Sequence, residues 1–171
     1  MRKAVFLFLL FFSTICDGQT HAIDTLRAQK AIATIDSLKH VNIALRGIIV
    51  RKYLHNETTV NHEFFLDTVT QQIYRCAYIQ LTEDLHDTVL ERSSFYVDGN
   101  NFIAVLFQRY QNGKEIFSEV NYLNMQNGEI QHIFPNPSST FFTSDDIKYQ
   151  ARDLWQGIES LKEWLRQKNG G

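Results

Sequence analysis

The segment Phe95–Val105, FYVDGNNFIAV, sets Asp98-Gly99-Asn100-Asn101 between two runs of aromatic and β-branched residues. Three roles compete for it: a calcium loop, a phosphate cradle or a chain reversal. A calcium loop needs six or more oxygen ligands, commonly several acidic residues and a distal bidentate Glu. Here Asp98 stands alone, and Phe102 to Phe107 is wholly apolar where further ligands should fall. A phosphate cradle leads into a helix N-terminus, whereas this loop leads into a run of strand composition. The chain reversal remains, because Asn and Gly tolerate the positive φ of a tight hairpin turn. Residues 95–97 are therefore expected to pair antiparallel with 102–105.

The same turn chemistry recurs at Asn112-Gly113 and Asn127-Gly128. Strand-like runs lie near 63–67, 72–81, 88–97, 101–111, 115–124 and 128–134. IALRGIIVRKYL, residues 43–54, suits a further strand with a bulge at Gly47. HNETTVNHE, residues 55–63, reads as a polar connection. Short turns force neighbouring strands to run antiparallel, so the centre is expected to be a meander without a parallel βαβ unit. FFLDTVTQQIYRC, FYVDGNNFIAVLF and NYLNMQNGEIQHI begin at residues 64, 95 and 121. Each sets aromatic residues before an Asp or Asn, then a turn and an Ile, at intervals of about thirty residues. Each is expected to form one hairpin of a repeated unit.

Simple alternation puts Phe102, Ala104 and Leu106 on one face and Ile103, Val105 and Phe107 on the other, as in a strand covered on both sides. In 116–123 it sets Ile116, Val120 and Tyr122 against Glu119 and Asn121, which gives the second face a wetter character. Cys76, between Tyr74 and Tyr78, reads as a partly buried strand residue.

Two amphipathic helices flank this region. Ile23, Leu26, Ile32, Ile35 and Leu38 recur at helical spacing within 21–39. Pro135 and Pro137 end the strands, and a long helix follows over 144–168. Thr143 and Asp146 have the form of a capping box, and Ile147, Ala151, Leu154, Ile158, Leu161 and Leu165 make an apolar stripe. The expected fold class is α+β: an antiparallel meander of six to seven strands between an N-terminal helix and a long C-terminal helix.

The N-terminus has the layout of a secretory signal peptide. Arg2 and Lys3 precede nine apolar residues, AVFLFLLFF, and small and polar residues follow. Cleavage after Gly18 would leave residues 19–171 as a single domain. Cys16 offers a competing route, lipid anchoring, but STIC lacks both the Leu-like residue three before the cysteine and the small residue just before it. No later run approaches transmembrane length. The protein is thus expected to be exported, periplasmic or secreted.

The whole chain carries 17 basic and 19 acidic residues, a net charge of −2. It has no basic run, and so gives no electrostatic reason to bind nucleic acid. Cleavage after Gly18 would leave Cys76 alone, without an intramolecular disulfide partner. His55, Glu57, His62 and Glu63 form the one histidine-carboxylate cluster, at a spacing that fits no helix-face metal motif. His132 reads as a half-buried sheet residue. The chain has no G-x-S-x-G motif. No catalytic residue, metal or cofactor is assigned. The expected function is a non-catalytic binding or interaction module for a protein or small hydrophobic ligand. Its contact candidates are the sheet aromatics Tyr74, Tyr78 and Tyr122. The alternative is a small ligand carrier or enzyme with a cleft between sheet and helix, which a pocket of converging polar groups would favour.

Overall fold

The computed structural model describes residues 25–38, 41–52, 57–67, 70–126 and 129–169. The expected signal segment, His55 and the Asn127-Gly128 turn lie outside them. Seven strands follow one another in sequence order through a single antiparallel sheet. They are β1 (Val41–Lys52), β2 (Glu57–Asp67), β3 (Ile73–Glu83), β4 (Thr88–Asp98), β5 (Asn101–Gln111), β6 (Lys114–Gln126) and β7 (Glu129–Phe134). Helix α1, residues 25–37, precedes the sheet, and α2 (Ser144–Asn169) follows it. The architecture is the expected α+β meander.

The turns use the residues that positive φ requires. Gly99 has φ 63°, Asn112 51° and Gly113 78°. Across the first turn, Phe95 pairs with Val105, Tyr96 with Ala104 and Val97 with Phe102, the expected antiparallel register. One residue, Ile103, has no partner opposite it and forms a β-bulge.

That bulge belongs to a repeat. Leu66 pairs with Ile73 and Phe65 with Arg75, skipping Tyr74. Met125 pairs with Ile130 and Asn124 with His132, skipping Gln131. In hairpins β2–β3, β4–β5 and β6–β7 alike, the second strand thus bulges just after the turn. These are the three segments whose sequences echo one another, and all three bulges lie at the same end of the sheet.

The bulges explain why simple alternation misassigns faces. A bulge puts two successive side chains on one side of the sheet. Phe102, Val105 and Phe107 share the core beneath α2, whereas Ile103, Ala104 and Leu106 lie on the α1 side. Tyr74 and Tyr78 are separated in the same way: Tyr78 belongs to the α2-side core and Tyr74 to the cluster around Ile35.

Two further expectations are corrected. The polar segment 55–63 is no connection from Glu57 onward, since β2 already begins there and pairs with both neighbours. The expected wet face of β6 is inverted: Asn121 is fully buried, while Ile116 and Val120 are exposed. The buried Asn121 amide nitrogen donates to Pro135 O (2.9 Å) and to Glu119 (3.0 Å), while its Oδ1 has no hydrogen-bond partner among the described residues, and Glu119 accepts from the Ser138 N–H and hydroxyl. This network ties the segment after β7 to the sheet.

Helix α2 covers one face with the expected stripe. Ile147, Ala151, Leu154, Ile158 and Leu161 are buried against Phe95, Phe102 and Phe107. Each large side chain so buried contributes about 2 kcal/mol. The helix starts where the capping box placed it: the Asp146 N–H donates to Thr143 Oγ1 (3.3 Å), and the Thr143 N–H to Asp146 Oδ2 (2.8 Å).

Candidate functional site

Helix α1 lies across the row of bulges. Its described residues 25–37 span about 20 Å at 1.5 Å each, close to the four strand spacings from β3 to β7, about 19 Å. Ion pairs hold it near both ends. Arg27 meets Asp98 at the β4–β5 turn (2.9 Å), and Asp36 meets Arg75 on β3 (3.5 Å). The Tyr96 hydroxyl donates to Asp36 (3.3 Å), and burial, with the adjacent Asp36 carboxylate, raises the phenol above its ordinary pKa. Between these ties, Ile32 and Ile35 pack over Tyr74, Tyr96, Ile103, Ala104 and Tyr122.

The three equivalent bulges differ chemically at this surface. Tyr74 on β3 and Ile103 on β5 present apolar bodies that α1 covers. The equivalent pair on β7, Gln131 and His132, is polar and exposed. A cleft of about 160 Å³ opens there, between residues 25–28 of α1 and strands β4 to β7. Its apolar lining includes Ala28, Ile103 and Phe134, and Asp98, Asn101, Asn124 and His132 supply polar groups; Phe102 and Leu123 border it, but their side chains are buried in the core beneath α2. Phe134, 54 % exposed, stands at its margin beside Tyr122. The Phe102 N–H is not orphaned, because it donates to Met125 Sδ (3.0 Å).

The three sheet tyrosines therefore occupy different settings. Tyr122 lines the cleft, and its hydroxyl accepts from Gln29 (3.2 Å). Tyr74 is half-buried under the other end of α1, and Tyr78 is buried on the opposite face with its ring 5.2 Å from that of His62. The cleft combines residues from five separate segments, among them Arg27, Ala28, Asn124, His132 and Phe134, which sequence reading did not select. No spacing rule joins them. The nearest signal is the departure of Gln131 from the aromatic or apolar residues at the equivalent bulges.

The remaining polar clusters hold the fold together. His62 and Glu63 face opposite sides of β2: His62 lies 3.1 Å from Asp153 on α2, and Glu63 lies 3.6 Å from Arg92. His62 Nε2 is not aligned for a hydrogen bond to that carboxylate. Arg109 pairs with Glu91 (2.6 Å) beneath the Phe141 ring; burial raises the Glu91 carboxyl pKa, and Arg109 opposes the shift. Among the described residues, no three His, Cys, Asp or Glu side chains are grouped as metal ligands, and no helix is long and apolar enough to cross a membrane. His132 is exposed on β7 rather than half-buried, since none of the described strands lies beyond it.

The chain matches no family model, no curated protein and no solved structure.

Proposed function

We propose that this protein is an exported, non-catalytic binding module whose α1-side cleft receives one apolar or aromatic group of a ligand or partner. The supporting observation is the make-up of the α1-side cleft over the third hairpin, where Ala28, Ile103 and Phe134 meet a polar margin of Asp98, Asn101, Asn124 and His132. Its volume of about 160 Å³ resembles the cavity of about 150 Å³ that holds one benzene-sized molecule. Tyr122 is the contact residue at its wall, and the groups at its margin fix orientation.

NMR titration of the isotope-labelled protein with p-cresol tests this reading. Amide shifts confined to Ala28, Ile103, Tyr122, Leu123 and Phe134 are expected, weakened severalfold by Phe134→Ala. Shifts scattered over the surface, or none at millimolar p-cresol, overturn it. Export rests on residues 1–18 and is tested by fractionating the producing cells. Membrane association that Cys16→Ala abolishes would replace free export by a lipid anchor.

A further inference from the structure

Strand β7 is the last of the sheet, and none of the described strands pairs with its outer side. Side chains of an added strand would alternate between the two faces. A cleft lies beside β7 on each of them. The α1-side cleft is lined by its His132 and Phe134. On the α2 side a second cleft, about 190 Å³, is lined by Met125, Glu129, Ile130, Lys148, Ala151 and Arg152.

The charges around these clefts are unequal. Arg27 is neutralised by Asp98. Lys148 and Arg152, one turn apart on α2, are exposed and form no ion pair with any described residue. They make a local basic spot on a chain of net charge −2, with Glu129 the one acidic residue lining the same cleft. A second copy paired through β7 about a two-fold axis would set these two cations beside their own equivalents, a like-charge arrangement that opposes association.

From these observations we infer that the β7 edge takes up an extended, acidic peptide segment of a partner protein as an additional strand. One apolar side chain enters the α1-side cleft, and acidic side chains on the other face meet Lys148 and Arg152. This rests on the proposed role of the cleft and names its occupant. The bulge at Gln131 confines regular pairing to His132–Phe134, so the added strand is short and its exchange rapid.

Fluorescence anisotropy with two labelled hexapeptides tests the inference: Glu-Val-Phe-Glu-Val-Glu and its charge-reversed partner, Lys-Val-Phe-Lys-Val-Lys. The acidic peptide is expected to bind at least tenfold more tightly. Lys148→Glu with Arg152→Glu, both exposed, should erase that preference, and amide shifts should map to 132–134 and 148–152. Equal binding of the two peptides, or undiminished binding when Ala replaces the peptide Phe, overturns the inference. So does a dimer in sedimentation equilibrium that Ile133→Pro dissociates, which would give the edge to a second copy. If neither peptide binds while p-cresol still occupies the cleft, the peptide inference falls and the cleft reading stands; if p-cresol fails as well, both fall.

Discussion

The Phe64 ring fills the space that a side chain at position 157 would need: a β-carbon on Gly157 would lie 2.5 Å from Phe64 Cζ. This close approach, with Asp153 and His62 one helical turn away, is where α2 rests on β2. Alanine would gain about 1 kcal/mol in helix propensity, but the overlap with a buried ring costs about 1–3 kcal/mol. Gly157→Ala is therefore expected to lower the unfolding free energy in urea by about 1 kcal/mol net. Phe64→Leu added to it should recover part of the loss, a positive coupling in the double-mutant cycle.

Asn121 is a polar side chain committed to a buried site. Asn121→Ala leaves Pro135 O without its side-chain donor and opens a small void. A loss of about 1–3 kcal/mol is expected, with faster amide exchange at Ser138, whose N–H bonds Glu119. A variant as stable as the parent, with unchanged exchange at Ser138, would show that the network does not hold the segment after β7.

The β3–β4 turn carries an acid-sensitive element. Asp84 accepts the N–H groups of His86 and Asp87, both at 2.8 Å, and these bonds lower its pKa below the ordinary aspartate value. A group with a depressed folded pKa contributes stability above its unfolded pKa and loses it as the pH falls through the folded one. Protection of the His86 and Asp87 amides should thus be full above pH of about 5 and decline below about 4. Asp84→Asn should remove that dependence in a hydrogen-exchange series.

Cys76 is fully buried in the core beneath α2, and desolvation pushes its thiol far above the ordinary cysteine pKa. Labelling by an aromatic disulfide reagent should be slow in the native protein and complete in denaturant. The native labelling rate should rise in Gly157→Ala by the factor that its stability loss implies. Rapid native labelling of Cys76 would contradict its placement.

Local chemistry was legible wherever neighbours in sequence decide the outcome. Asp98-Gly99 and Asn112-Gly113 reverse the chain because only certain residues accept those φ values. Thr143 and Asp146 start α2 because their side chains reach their own backbone. The thirty-residue echo also proved structural. What failed was parity. A single bulge residue reverses the side facing of everything beyond it, so Phe102 and Val105 share a face three residues apart, and Tyr74 parts from Tyr78 four residues away. The cleft was illegible for a different reason: its lining comes from α1 and four strands, far apart in sequence.

By itself the sequence determined the order of elements, their antiparallel connection and the three related hairpins, because turn residues and side-chain periods act within a few residues. Tertiary structure decided that Asn121 is buried rather than wet, and that Tyr78 belongs to the core while Tyr122 lines a cleft. These outcomes depend on which distant groups accept from a buried amide and on where bulges shift the facing of the strands.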